Sequence, residues 1–284
     1  MNASSQRDRD LMLCWGTVNS RTMLDLIEAA AVGGYRSISV SPRLYRATQA
    51  AGISDSALRS ALYSQDVNVA VIEPLLSGLP GALTPETAPR EHRSLYEFTE
   101  DDCYTMADAI GARTISLSHF LGSPVPATAM IDAIGPIVSR ATERGFDVCI
   151  EFIPDTGIDS LATARHIYEA VASRRLGVML DAWHFARSGG SLDQLAGLPP
   201  GMITVAQLCD RIAPAPDAAY VPMAGRLLPG DGDLPLADLT RLTLAEHPDA
   251  IVGVEVFSAD LQAMPAREAA LLTALATREV LSMV

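Results

Sequence analysis

Short apolar runs alternate along the chain with longer stretches in which apolar residues recur every three or four positions. The runs are typical of buried strands and the longer stretches of amphipathic helices. Eight strand-and-helix units follow one another. The predicted strands are Leu11–Trp15, Ser37–Ser41, Asn68–Leu75, Thr114–His119, Asp147–Ile153, Leu176–Asp181, Ile203–Leu208 and Ile251–Phe257.

The helical pattern fills the segments between these strands. The predicted helices are Thr22–Val32, Ser54–Ser64, Glu91–Ile110, Ala127–Arg144, Ser160–Ser173, Leu192–Leu195, Leu236–Glu246 and a last one from Asp260 to the C-terminus. Strands that alternate with helices favour a parallel sheet, and eight units favour a single (β/α)8 TIM barrel over residues 1–284. A doubly wound open sheet is the alternative.

Four of the apolar runs end in a side chain that can bind a metal ion. These side chains are Glu151, Asp181, Gln207 and Glu255. In a barrel the carboxyl ends of all strands meet at one face, where active sites are built. Oxygen ligands gathered there favour a divalent cation, although each carboxylate taken alone can equally cap a helix or pair with an arginine.

Other polar or aromatic side chains fall at the same face. Trp15, Glu73 and His119 stand at the ends of the first, third and fourth predicted strands, so we predict that they contact a substrate. His184 follows Asp181 by three residues and is predicted to act on a substrate hydroxyl. A buried structural role is the alternative for both histidines.

The connection at residues 211–233 is long and has no clear helical pattern, so we predict a loop that covers the substrate. Arg226, near its end, is predicted to bind a substrate carboxylate, phosphate or hydroxyl through its planar guanidinium. A salt bridge between Arg226 and Asp210 is the alternative.

Composition excludes several functions. All 21 cationic residues are arginine, and the absence of lysine excludes a Schiff-base aldolase and a Walker phosphate loop. The net charge of −13 argues against a nucleic-acid partner. The four cysteines have no CxxC spacing and are predicted to be reduced packing residues. No secretory signal or membrane span is visible, so a cytoplasmic location is the expectation.

The order of motifs in the second half resembles one family. Glu151 is followed by D-x-W-H from Asp181, Q-L-x-D from Gln207, R-x-x-P-G-D-G from Arg226 and V-E-V-F around Glu255. This order resembles the xylose-isomerase-like barrels, a family of sugar isomerases, epimerases and cyclitol or dehydroshikimate dehydratases. The resemblance covers most of the chain, but its specific motifs lie between Glu151 and Glu255.

The resemblance implies a role for each of these residues. Glu151, Asp181, Gln207 and Glu255 would bind one divalent metal ion, with Glu151 and Glu255 doubling as the acid and base and His184 contacting the substrate. Many sugar epimerases of the family have histidine where this chain has Gln207, whereas dehydratase-like members often carry glutamine. An all-oxygen ligand set suits Mn²⁺, Mg²⁺ or Co²⁺ better than Zn²⁺.

The expected function is that of a metal-dependent isomerase or epimerase acting on a polyhydroxy ketone or aldehyde through an enediolate. The alternative is a dehydratase of a keto-cyclitol or 3-dehydroshikimate-like substrate, and a non-catalytic ligand-binding barrel is a third candidate. An abasic-site endonuclease is disfavoured by the five histidines and the negative charge. The expected partner is a small sugar or cyclitol, without nucleic acid or membrane. A homodimer is kept open beside a monomer.

Overall fold

Eight parallel strands close into a barrel in the computed structural model, which describes residues 9–213, 223 and 225–284. Each strand pairs with the next in sequence, and the eighth pairs with the first. The strands are β1 Leu11–Leu13, β2 Ser37–Val40, β3 Asn68–Leu75, β4 Thr114–Ser118, β5 Asp147–Glu151, β6 Leu176–Asp181, β7 Ile203–Leu208 and β8 Ile251–Val254. The predicted (β/α)8 barrel is confirmed, and the open sheet is excluded.

Helices surround the barrel and connect its strands. Within the described residues they are α1 Met23–Gly33, α2 Pro42–Ala50, α3 Asp55–Gln65, α4 Glu100–Ile110, α5 Ala127–Glu143, α6 Leu161–Val171, α7 Ala182–Arg187, α8 Leu236–Glu246, α9 Ala259–Ala263 and α10 Ala266–Leu281. Of these helices, none combines the length and the apolar character needed to cross a membrane.

The predicted and observed bounds of the helices differ mainly where a capping residue determines the first residue of the helix. Helix α4 begins at Glu100 instead of Glu91, because Thr99 and Asp102 form a capping box there. Helix α2 was not predicted. Ser41 caps it by accepting a hydrogen bond from the Leu44 N–H, and Pro42 takes the first helical position, which suits proline.

The interior of the barrel is filled by a small layer of side chains that is separate from the large core between strands and helices. This inner layer consists of Met12, Cys14, Val71, Cys149, Met179 and Val205. All four cysteines are buried and free, which confirms that they are reduced packing residues. The inner layer forms the floor on which the site is built.

Part of the predicted covering loop at 211–233 lies outside the described residues. The described portion is tied to the end of β7, where Asp210 and Leu227 form an antiparallel bridge. The Asp210 carboxylate also accepts hydrogen bonds from the N–H groups of Gly230 and Leu234. These contacts fix the segment that follows Arg226 against the carboxyl end of the barrel.

Candidate metal and active site

Strand alternation explains why five functional side chains share one site. Successive side chains on a strand point to opposite faces, so residues two apart share a face. Glu73, Glu151, Asp181 and Gln207 each follow a member of the inner layer by two residues on β3, β5, β6 and β7. Glu255 follows the end of β8 directly. All five side chains therefore lie above the floor of the barrel.

Arg226 is buried among the predicted metal ligands, with 3% of its surface exposed. Its Nη1 donates to Asp181 Oδ2 at 2.6 Å and to Glu255 Oε2 at 2.9 Å. It pairs with these two carboxylates instead of Asp210, which serves the neighbouring loop. Substrate binding by Arg226 stays a prediction, and the observed role of the guanidinium is to supply positive charge inside the site.

Gln207 is held in one orientation by the carboxylates around it. Its Nε2 donates to Glu73 Oε2 and to Glu255 Oε1, both at 3.3 Å. These bonds assign the amide nitrogen to the side of the two carboxyl groups. Within the described part of the chain, Gln207 Oε1 is buried and has no hydrogen-bond partner. Glu73, predicted to contact substrate, lines a cavity above this group of side chains and also accepts the hydrogen bond from Gln207.

Glu151 and His184 form the opposite side of the site. Ser118 Oγ donates to Glu151 Oε2 at 2.7 Å, and Glu151 Oε1 lies 3.5 Å from His184 Nε2. The backbone N–H of His184 donates to Asp181 Oδ1 at 3.0 Å. One Asp181 oxygen therefore caps α7, while the other pairs with Arg226. Ligand atoms of Glu151, Asp181 and His184 all lie within 4.8 Å of one another.

Burial and mutual repulsion raise the pKa values of most of these carboxyl groups. Burial first, and then the Asp181 charge, raises the pKa of Glu151 to about 8, although Ser118 opposes the shift. Burial likewise raises the pKa of Glu73 to about 7. The pKa of Glu255 is raised well above its usual range by burial, against the opposing Arg226 charge.

Asp181 and His184 behave differently from the glutamates. Burial alone would raise the pKa of Asp181, but the nearby Arg226 charge dominates together with the His184 contacts, and the pKa is lowered. Burial lowers the pKa of His184 to about 4, even though Asp181 opposes it. His184 is therefore neutral at neutral pH, so that one ring nitrogen carries a proton and the other a lone pair.

The donor set fits a divalent cation. Glu73, Glu151, Asp181 and Glu255 are four carboxylates, and Arg226 is the only cationic side chain that the described contacts place among them. Buried negative charge that exceeds its positive partners needs compensation by protons or by a bound cation. The oxygen of Gln207, which has no partner among the described residues, could serve as a further neutral ligand.

Aromatic side chains form the walls of the cavity above these groups. Trp15 and Phe257 contact edge to face with ring centroids 5.9 Å apart, and the Arg226 guanidinium lies 5.1 Å from the Phe257 ring centre. Phe120 and Met223 also contribute to the apolar part of the lining. Trp15 was predicted at the site; the other three were missed, although Phe257 belongs to the V-E-V-F motif.

His119 is not brought to this cavity. Its side chain is 1% exposed, and its Nδ1 accepts a hydrogen bond of 2.9 Å from the Gly157 N–H. The ring also packs closely against Gly122. The geometry is that of the buried structural histidine, and substrate contact by His119 stays a prediction.

A closed eight-stranded parallel barrel with helices between its strands defines a TIM-barrel protein. The family model described as xylose isomerase-like TIM barrel matches residues 26–277, so the chain belongs to this family. Enzymes make up most of its members. No curated protein matches the chain in sequence.

Solved structures of the same fold are similar at low sequence identity. The IolI protein with a bound zinc atom has a TM-score of 0.83 at 17% identity, over 96% of this chain and 98% of that one. The probable 3-DHS dehydratase AsbF of Bacillus anthracis has a TM-score of 0.70 at 16% identity, over 93% and 99%.

Two further structures extend the range of similar proteins. D-psicose 3-epimerase of Clostridium cellulolyticum H10, with D-tagatose, has a TM-score of 0.68 at 12% identity, over 96% of this chain and 99% of that one. A xylose isomerase-like TIM barrel/4-hydroxyphenylpyruvate dioxygenase fusion protein has a TM-score of 0.75 at 16% identity over 93% of this chain. The chain spans 41% of that protein's length. These likenesses establish the fold.

Proposed function

We propose that the protein is a divalent-metal-dependent isomerase or epimerase of a polyhydroxy ketone or aldehyde. The observation that carries the proposal is the group of four carboxyl groups and one amide oxygen, unpartnered among the described residues, near Arg226 at the carboxyl end of the barrel. The likeness to a D-psicose 3-epimerase supports a sugar as substrate. A cytoplasmic location and a homodimer stay predictions.

Glu151, Asp181, Gln207 and Glu255 would hold the ion. Bound there, a divalent ion polarises a carbonyl group and stabilises the negative charge that develops on its oxygen. Because every ligand is an oxygen, we propose Mn²⁺, Mg²⁺ or Co²⁺ ahead of Zn²⁺, although the similar IolI protein binds zinc. Arg226 already contacts Asp181 Oδ2 and Glu255 Oε2, so it competes with an ion for those oxygens.

The protein groups supply the proton transfers. Glu151 removes a proton from the carbon beside the substrate carbonyl, held in place by the Ser118 hydroxyl. Glu255, three strands further around the barrel, returns a proton to give the epimer or isomer. The neutral His184 donates a hydrogen bond to a substrate hydroxyl from beside Glu151.

A dehydratase is the second candidate, and one observation favours it. The amide of Gln207 stands where dehydratase-like members of the family often carry glutamine, and the fold is similar to that of a probable 3-DHS dehydratase. The same enediolate expels a β-hydroxyl instead of being reprotonated. The proton that Glu151 takes from carbon would then pass to the departing hydroxyl, which leaves as water, while the neutral His184 donates a hydrogen bond to it.

Solvent exchange tests the shared first step. Metal-free protein is reloaded in turn with Mn²⁺, Mg²⁺, Co²⁺ and Zn²⁺ and incubated in deuterium oxide with a panel of polyhydroxy ketones, aldehydes and keto-cyclitols. Deuterium incorporation without loss of mass supports the isomerase or epimerase, and a conjugated, ultraviolet-absorbing product supports the dehydratase. If deuterium exchange and water loss are absent with every ion while sugars still bind, the protein is a non-catalytic binding barrel.

Metal affinity is expected to increase as the pH rises. In the metal-free protein the pKa of Glu151 is about 8, so at neutral pH an ion must displace a proton to bind this carboxylate. Titration calorimetry with Mn²⁺ between about pH 6 and about pH 8.5, in buffers of different ionisation enthalpy, measures both the affinity and the released protons. An affinity independent of pH, with no proton released, would contradict the ligand assignment.

A further inference from the structure

A second cavity, of about 530 Å³, adjoins the candidate active site. The two cavities share Trp15, Met223 and Phe257 as lining residues. Helix α2, which the sequence did not predict, contributes its first turn to the second cavity. A substrate held by the carboxylates therefore has space to extend past the Trp15 and Phe257 rings.

The second cavity has the opposite charge to the active site. Arg43 and Arg21 line it, and none of its described lining residues carries a carboxylate. In the described part of the chain, neither arginine forms a salt bridge; the Arg43 guanidinium lies 5.8 Å from the Trp15 ring centre. Arg43 also occupies the second position of α2, where the positive end of the helix dipole adds to its charge.

The two arginines of the second cavity stand out because the rest of the protein and the active site are acidic. The chain has a net charge of −13, and the active site holds four carboxylates. A neutral polyol needs no cation for its binding, whereas an anionic substrate would be repelled unless a local positive group held its charged end. Arginine suits this task because its planar fork matches both carboxylate and phosphate oxygens.

We propose that this cavity binds an anionic group of the substrate, through Arg43 with the support of Arg21. The substrate class is then a polyhydroxy carbonyl compound with a carboxylate or phosphate group at the end remote from the reacting carbons. The statement that the bound anion is part of a substrate rests on the proposed function. Anion binding itself is independent of the reaction.

Anion binding to the metal-free protein tests the proposal directly. Inorganic phosphate and acetate are titrated at constant ionic strength, and the fluorescence of Trp15, which lines the cavity, reports binding; a Trp15→Phe variant identifies its signal beside that of Trp183. We expect saturable binding of at least one anion, weakened about tenfold or more in Arg43→Gln, because a charge-assisted hydrogen bond is lost. Arg43→Lys keeps the charge but loses the planar fork, so it is expected to bind the anions more tightly than Arg43→Gln and more weakly than the parent.

Arg165→Gln is the matched control. Arg165 is an exposed arginine on α6 that pairs with Glu169, and it is not among the described lining residues of the cavity. It should bind both anions as the parent does. Tighter phosphate binding assigns phosphorylated substrates, and tighter acetate binding assigns sugar acids. Absence of saturable binding of either anion, or equal binding by the parent and the Arg43→Gln, Arg21→Gln double variant, overturns the proposal.

The proton-exchange assay separates this proposal from the proposed function. Among substrates that exchange, anionic ones should have the higher kcat/KM, and Arg43→Gln should lower kcat/KM for anionic substrates by a larger factor than for neutral ones. Anion binding without any exchange would leave the cavity assigned and refute the proposed function. Exchange with equal kcat/KM for neutral and anionic substrates would refute the substrate class alone.

Discussion

Replacement of Glu151 by glutamine is expected to slow solvent proton exchange by about 10²- to 10⁴-fold, the usual contribution of a positioned general base. Glutamine keeps the size of the side chain and one oxygen that can bind an ion, but it cannot accept the proton. The hydrogen bond from Ser118 Oγ can still be accepted by the amide oxygen. The loss should therefore appear in kcat more than in the affinity for metal.

The comparison is made with Glu169→Gln, which removes an exposed carboxylate from α6. Deuterium incorporation into the substrate is measured for both variants, together with Mn²⁺ affinity by calorimetry and the circular dichroism of the fold. Glu169→Gln should match the parent in every measurement. If Glu151→Gln exchanged protons at the parental rate, Glu151 would not be the base, and Glu255 would be left to remove the proton.

Replacement of Arg226 by methionine is expected to lower the free energy of unfolding of the metal-free protein by about 3–5 kcal/mol, because removal of one partner leaves buried charges uncompensated. The side chain of Arg226 is 1% exposed, and it contacts Asp181 at 2.6 Å and Glu255 at 2.9 Å. No other cation in the described contacts of this site takes over its role. Without metal, the free energy of unfolding of this variant should also depend more strongly on pH than that of the parent.

The sign of that pH dependence follows from the raised pKa values. A carboxyl group with a pKa of about 8 in the folded protein, as Glu151 has, stays protonated there at pH values where it is ionised in the unfolded chain. Its stabilising contribution is complete below the unfolded pKa and is lost as the pH rises through about 8. The deficit of Arg226→Met should therefore be smaller near pH 5 than near pH 8.

Urea unfolding with and without Mn²⁺ measures both effects. The ion should restore much of the lost stability, since it supplies the missing positive charge. Arg165→Met is the control for an exposed pair and should cost less than about 1 kcal/mol. An Arg226→Met variant as stable as the parent at pH 8 without metal would show that the carboxylates of the site are not ionised together.

The sequence was informative about the site because strand alternation is a local property. A carboxylate or amide that follows a buried residue by two positions must point to the same face, and this holds for Asp181 after Met179 and for Gln207 after Val205. The closed order of the strands then brings these side chains together without any further signal. Both the barrel and the cluster of acidic groups could therefore be predicted.

Contacts between distant segments could not be predicted in the same way. The pairing of Arg226 with Asp181 and Glu255 depends on how the segment after β7 folds back, and the sequence offered only Asp210 as a salt-bridge partner. Helix α2, which holds Arg43, has nine residues and follows its strand directly, without the loop that usually signals a new element. These features arise from packing, so no periodic pattern along the chain records them.

The orientation of Gln207 limits which residues this position can accept. Its amide nitrogen donates to the carboxyl groups of Glu73 and Glu255, while its oxygen is an acceptor without a partner among the described residues. A glutamate here would place a third carboxyl group against the other two, whereas a histidine offers both functions in one tautomer, with an N–H toward these carboxyl groups and a lone pair on the other ring nitrogen. We therefore expect glutamine and histidine to be interchangeable here for a reason of hydrogen-bond polarity. An engineered exchange between them should keep the barrel intact and would change the softness of the proposed metal site.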